Sequence, residues 1–304
     1  MGPMNDELGL EQGGVNSSDF YKIFGKEQLQ LSQRSHLGIK MKNVTVSAVG
    51  MADDTILISN NIYALYYLLN LTLHFCLKHH VDLSAEKTFL QVYSPPGVDC
   101  NLVFNPICIN GTTIPVVKEA EHVGVLRSTE GNGPTILARF AAHKRALAGV
   151  MQTGLAKSHR SNPASALQIE RMYAVPVLFS GLASLVLSKK EVDMIDSHYL
   201  ETLRHLQKLH INTPRCVVYF LAGSLPGSAL LHLRQLTLFS MICALPGNIL
   251  HQVASNFFNA VTYFKGSWCQ QIRNVCLMYN LPHPSTLLSA DHNRKEFKIS
   301  AKKM

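Results

Sequence analysis

The stretch VTVSAVGMADDTILIS, residues 44–59, contains two apolar, β-branched runs with Asp53 and Asp54 between them. Both runs predict β-strands, which places the two carboxylates at the tip of a hairpin. Adjacent carboxylates repel each other, and burying either would cost several kcal/mol unless a cation compensates. Mg²⁺ prefers one or two carboxylates together with phosphate oxygens. The stretch therefore predicts a hairpin whose Asp pair holds a divalent metal, as two-metal phosphoryl transfer requires.

An Asp pair at a turn also has a simpler explanation. Asp tolerates the left-handed backbone conformation and bonds to its own backbone, so it is common in turns without any ligand. The choice between a turn and a metal site depends on the residues that surround the pair.

Four motifs in this order resemble the reverse transcriptases of non-LTR retrotransposons. Residues 50–59 are similar to the family's [YF]-A-D-D palm motif and its return strand, with Met51 at the aromatic position. Residues 8–21 resemble the preceding palm motif, G-x-x-Q-G followed by Ser. Residues 81–88 resemble the motif that ends in Lys-Thr, and residues 122–125 match the [YF]-L-G-V strand in part. The order and spacing of four motifs are more specific than any one of them.

The second half of the chain continues the resemblance. Residues 172–181, MYAVPVLFSG, are similar to the helical Y-x-x-P-x-[LF]-x-Y-G segment that follows the palm in these enzymes. Residues 219–226, YFLAGSLP, resemble the later L-x-G-x-x-P stretch. The resemblance therefore covers roughly residues 7–245 and does not extend over the remainder.

The resemblance implies an RNA-directed DNA polymerase with Mg²⁺ as cofactor and an RNA template, a DNA primer and dNTPs as partners. The implied catalytic residues are Asp53, Asp54 and Lys87, of which Asp53 and Asp54 are also the metal ligands. The implied nucleotide- and template-binding residues are Gly9, Gln12, Gly13 and Ser17. The alternatives are an ordinary helix-start turn at Gly13 and an ordinary solvated lysine at position 87.

In this family the first catalytic Asp lies on a palm strand before the G-x-x-Q-G motif. Only eight residues precede Gly9, and Asp6 has no strand-like run around it. We therefore expect an N-terminally truncated fragment that is inactive alone. The alternatives are a domesticated, non-catalytic nucleic-acid-binding protein and a non-functional transposon relic.

Composition agrees with a nucleic-acid partner. The chain of 304 residues carries 28 Lys and Arg against 20 Asp and Glu, and this net charge of +8 favours a polyanion. Its seven cysteines form no C-x-x-C pair, which is typical of reduced thiols inside a cell. The N-terminus has no apolar signal segment, and the longest apolar stretch, residues 174–187, is too short and interrupted to span a membrane. We expect an intracellular protein without a membrane partner.

The patterning predicts an α+β fold, a partial polymerase palm followed by an all-helical region. The break TEGNGP, residues 129–134, separates a palm at 1–128 from a helical thumb at 129–290, and a basic, disordered tail follows at 291–304. Predicted strands lie at 37–41, 44–50, 55–59, 89–93 and 120–127, with a hairpin at 107–114. Predicted helices lie at 17–31, after a cap at Asn60 or Asn61, and at 135–155, 163–178, 189–209, 214–222, 228–244, 248–263 and 267–279.

A basic cluster lies on the first helix after the break. It consists of Arg139, His143, Lys144 and Arg145. In a thumb, Arg139, Lys144 and Arg145 would contact the phosphates of the duplex. The alternative is a solvated helix face, which is the more common meaning of such a charge run.

Overall fold

The computed structural model describes residues 17–51, 53–94, 106–150, 162–259 and 266–289. In these ranges the protein combines α-helices with small antiparallel strand pairs, which confirms the predicted α+β class at this coarse level. The predicted domains at 1–128 and 129–290 stay predictions, and the predicted tail at 291–304 lies outside the described residues.

Each strand pairs with its neighbour along the chain. The pairs are β1 (Ile39–Met41) with β2 (Val44–Val46), β3 (Ala48–Met51) with β4 (Asp54–Leu57), β5 (Cys108–Ile109) with β6 (Thr112–Thr113), and β7 (Glu119–His122) with β8 (Val125–Ser128). Every sheet within the described ranges therefore has two strands, and a polymerase palm remains a prediction.

The helices fall into an early pair and a later series. They are α1 (Ser17–Arg34), α2 (Ile62–Lys78), α3 (Gly133–Val150), α4 (Pro163–Ile169), α5 (Val175–Phe179), α6 (Lys189–Gln207), α7 (Arg215–Ala222), α8 (Gly227–Cys243), α9 (Ile249–Phe258), α10 (Trp268–Met278) and α11 (Pro284–Ser289). The chain divides into two compact units, the first comprising α1, α2 and β1 to β6, and the second comprising β7, β8 and the helices from α3 onward.

In the first unit, α1 packs against α2 and the β3–β4 hairpin. The rings of Phe24 and Phe75 lie 5.1 Å apart, and Gln28 donates to the Thr72 hydroxyl over 3.3 Å. Helix α2 begins at Asn61, whose side chain accepts from the Tyr63 amide at 2.8 Å. Asn at this position satisfies one of the free amides of the first turn, so the predicted start of this helix is confirmed.

The other side of α2 covers the β5–β6 hairpin. Leu69 is buried in one cluster with Ile107, Ile109 and Ile114. The hairpin turns at Asn110 and Gly111, whose φ angles are +50° and +80°. Asn-Gly suits a type I′ turn because both positions need positive φ, and the predicted hairpin is confirmed.

The second unit is built around α6. This helix begins with a capping box, in which the Ser188 hydroxyl accepts from the Glu191 amide and the Glu191 carboxylate accepts from the Ser188 amide. Its inward face buries Tyr199 and Leu203 against α5 and α7. A separate cluster around Phe239 and Ile272 joins α8 to the last three helices.

Four sequence predictions about local structure are wrong. The single strand predicted at 44–50 is divided at Ser47 into β2 and β3, which belong to different strand pairs. The single strand predicted at 120–127 is the β7–β8 hairpin, which turns at Val123 and Gly124 with φ of +50° and +69°. The strand predicted at 89–93 is a single bridge between Leu90 and Val116. The helix predicted at 163–178 is interrupted by a π-helical turn, Glu170–Ala174, which shifts the hydrogen bonds by one residue.

None of the helices within the described ranges is long and apolar enough to cross a membrane by itself. Helices α7 and α8 meet the length and composition of a span only when they are taken together, and they are bent by 58° at the break between them.

Candidate metal and nucleotide site

The β3–β4 hairpin presents the Asp pair at its tip. Val49 faces Ile56 across the hairpin and Met51 faces Asp54, so Asp53 lies in the turn and Asp54 begins β4. Both Asp residues are exposed to solvent. Their carboxylates are therefore accessible to a ligand without a change in the strands.

Helix α1 packs against this hairpin through Leu29 and Gln28. A Cβ added at Gly50 would lie 3.1 Å from the Leu29 side chain, so the helix lies close to the β3 backbone. Thr55 donates its hydroxyl hydrogen to the Gln28 side-chain oxygen at 3.4 Å. The two contacts hold the strands on either side of the Asp pair against one helix.

Tyr21 is a residue near the pair that sequence reasoning missed. Burial raises the pKa of its hydroxyl, the negative charge of Asp53 raises it further, and Asp54 contributes more weakly. The hydroxyl therefore stays protonated at neutral pH and remains a hydrogen-bond donor beside the two carboxylates. The available signal was helical spacing, because Tyr21 lies seven residues before Gln28 and so shares its face of α1.

The pair fits Mg²⁺ by donor type and exposure. Mg²⁺ keeps several waters and is commonly held by one or two carboxylates plus the phosphates of a substrate. Asp53 and Asp54 supply two such oxygen donors. Across the described ranges, no group of three or more His, Cys, Asp or Glu side chains is placed to hold a metal. A metal at the hairpin would thus share its coordination with water and a bound phosphate.

Of the remaining predicted catalytic, nucleotide-binding and template-binding residues, the structure describes Lys87 and Ser17. Lys87 lies exposed at the end of a short 3₁₀ turn, Ala85–Lys87, in the same unit as the Asp pair. Within the described part of the chain, no ion pair joins Lys87 to Asp53 or Asp54. Gly9, Gln12 and Gly13 lie outside the described residues, and Ser17 begins α1.

The basic cluster on α3 divides into two kinds of side chain. Lys144 and Arg145 are exposed, whereas His143 is completely buried. Arg139 donates a hydrogen bond to the Gly124 carbonyl and so ties α3 to the β7–β8 turn. Lys144 and Arg145 are therefore the members of the cluster that are freely available for phosphate.

No protein-family model, no curated protein and no solved structure matches this chain.

Proposed function

We propose that the chain belongs to the reverse transcriptases of non-LTR retrotransposons and that Asp53 and Asp54 are its palm carboxylates. The ordered motifs of the sequence are the basis of the proposal. The observation that supports it best is the β3–β4 hairpin, in which the register of Met51 and Asp54 leaves both carboxylates exposed at the tip.

In the family's reaction, DNA synthesis from dNTPs on an RNA template, each of these residues would have a separate role, although we do not expect this chain to complete the reaction alone. Asp53 and Asp54 hold the metal, and Lys87 offsets phosphate charge or donates a proton to the leaving pyrophosphate. When bound, Mg²⁺ supplies the charge that activates the primer 3′ hydroxyl and neutralises the triphosphate. Gly9, Gln12, Gly13 and Ser17 line the nucleotide and the template in this proposal.

The second candidate is a non-catalytic nucleic-acid-binding protein. The exposed Lys144 and Arg145 and the net charge of +8 favour it, because phosphate contact by these side chains needs no metal. The two functions share binding to a duplex and differ in whether the Asp pair contributes.

Binding to a fluorescent poly(rA)/oligo(dT) duplex tests the proposal. We expect the affinity to fall steeply between about 50 and 200 mM salt, because phosphate binding releases counterions. The slope of log affinity against log salt concentration reports the number of phosphate contacts. Replacing Lys144 and Arg145 together by Ala should reduce the magnitude of this slope by up to about two. Replacing Lys40 and Lys189 by Ala removes the same charge elsewhere and should change the slope less.

A second experiment adds dTTP with Mn²⁺ to the protein bound to this duplex. Tighter duplex binding in wild type and no tightening in Asp53→Asn would support the polymerase proposal. Duplex binding that is indifferent to the nucleotide, the metal and Asp53 would favour the non-catalytic candidate. Affinity that does not depend on salt would contradict both.

A further inference from the structure

Three buried titratable side chains from three segments meet inside the second unit. His143 of α3 and Glu170 of the π-helical turn are 0% exposed, and His198 of α6 is 8% exposed. The His143 Nδ1 lies 3.0 Å from the His198 Nε2, and its Nε2 lies 3.6 Å from the Glu170 Oε1. His143 therefore bridges a second imidazole and a carboxylate.

The geometry limits how many protons the cluster can hold. A distance of 3.0 Å between two ring nitrogens leaves room for one hydrogen, donated by one ring and accepted by the other. Neither Glu170 oxygen accepts a hydrogen bond from the described residues, so its contact within that part of the chain is the ion pair with His143. A second hydrogen between these two nitrogens would clash at this distance, so a proton added to His198 is buried against the His143 ring.

His198 is the ring that a further proton would reach. The Phe140 ring stacks on it at 4.0 Å, and both residues line a surface cavity of about 440 Å³. Burial, and then the positive charges of His143 and Lys144, lower the pKa of His198 to about 4. The native fold therefore disfavours its protonation.

The structure describes three further charged groups beside His198. Lys190, Asp193 and Glu201 of α6 line the same cavity. Helix α4 carries no titratable side chain.

The Arg, His and Tyr side chains of α7 and α8 contact other residues. In α7, Arg215 and Tyr219 contact Asp196. In α8, His232 lies 3.1 Å from the Tyr279 hydroxyl and Arg234 lies over the Phe179 ring.

We propose that Glu170, His143 and His198 form a pH-sensitive lock that holds α3 to α6 at neutral pH and releases it in mildly acidic solution. The lock opens when His198 takes up a proton, because the new positive charge is then buried 3.0 Å from the His143 ring. Since α3 carries the exposed Lys144 and Arg145, opening also alters the surface that bears them.

The direction of the pH dependence follows from proton linkage. The ordinary pKa of His is 6.5, and in the folded protein that of His198 is about 4. The open state binds more protons between these values, so the lock is fully closed above about pH 6.5 and weakens as the pH falls towards 4. For one linked proton, the equilibrium constant for opening rises by up to about tenfold per pH unit in this window.

Hydrogen exchange of the full chain, followed by mass spectrometry between about pH 7 and pH 4.5 and corrected for intrinsic rates, tests the lock. We expect residues 133–150 and 189–207 to lose protection on acidification before residues 227–243. In His198→Gln, which keeps a polar group of similar length without a titrating ring, the acid-dependent loss should disappear. His74→Gln changes an exposed histidine of the first unit and should behave as wild type.

Two results would overturn the proposal. One is an equal acid-dependent loss in wild type and His198→Gln. The other is a wild-type profile in which α3 and α6 stay protected while other helices lose protection first. This second result needs only the wild-type protein, so it overturns the proposal even if His198→Gln does not fold.

Discussion

Met51 faces Asp54 across the β3–β4 hairpin, and this pairing puts Asp53 in the turn and both carboxylates in solvent. In the proposed assignment Met51 stands at the aromatic position of the palm motif, and its side chain is 58% exposed. The hairpin is fixed from one side, where Gly50 allows Leu29 of α1 to approach. The Asp pair is thus held on a supported strand pair and remains open to a ligand.

The 304-residue chain should not extend a primer by itself. The resemblance implies three metal-binding carboxylates, and only Asp53 and Asp54 have a motif match. Loss of one part of such a charge clamp costs several kcal/mol in the transition state, which is orders of magnitude in rate. Primer extension on poly(rA)/oligo(dT) with Mg²⁺ or Mn²⁺ measures this directly. Clear incorporation that disappears in Asp53→Asn would show that the chain contains the complete metal site.

The open face of the Asp hairpin should promote self-association. Val49, Met51 and Ile56 are 46%, 58% and 38% exposed. In the described ranges, β3 and β4 have only each other as strand partners, and such apolar edges tend to pair with other chains.

Size-exclusion chromatography at rising protein concentration should therefore show aggregates. A Lys in place of Val49 should reduce them, whereas Lys at the exposed Leu250 of α9 should not. A monodisperse wild-type monomer would contradict this prediction and would favour the non-catalytic candidate.

Gly181 should be far less tolerant of Ala than Gly247. Both have positive φ, of +76° and +85°, so both substitutions carry the strain of a left-handed Ala, about 1 kcal/mol. A Cβ at Gly181 would also lie 2.7 Å from a methyl group of Val125, while nothing lies within 4 Å at Gly247. Overpacking of this kind adds about 1–3 kcal/mol.

Urea unfolding measures the difference between the two variants. Val125→Ala should recover part of the loss in Gly181→Ala, because it removes the clashing methyl groups. Equal effects of the two glycine substitutions would show that β8 does not pack on this turn.

Local chemistry predicted part of the fold. Asn110 and Gly111 specify their turn because both residues accept positive φ, and Asn61 specifies a helix start. The hairpin at Val123 and Gly124 escaped prediction because a β-branched residue at positive φ is rare, so the pattern resembled one continuous strand. The contact that the structure shows at this turn comes from outside the hairpin, where Arg139 of α3 donates to the Gly124 carbonyl.

In the candidate sites too, contacts between sequence neighbours were predictable and contacts between distant residues were not. The Asp pair was predictable because its two strands adjoin it in the sequence. His143 was grouped with Lys144 and Arg145 as a basic cluster, yet it lies buried beside His198, 55 residues further along the chain. No spacing within one helix predicts a contact of that kind, because the fold of the whole second unit creates it.

Binding of Mn²⁺ and dTTP to the duplex-bound chain is the most direct test of the palm assignment. Electron paramagnetic resonance follows the free Mn²⁺ signal as protein is added. If Asp53 and Asp54 are the palm carboxylates, Asp53→Asn should weaken Mn²⁺ binding at least about tenfold, which corresponds to about 1.4 kcal/mol. Glu121→Gln, which removes an exposed carboxylate from the β7–β8 hairpin, should bind as wild type. Equal Mn²⁺ binding by wild type and Asp53→Asn would contradict the assignment.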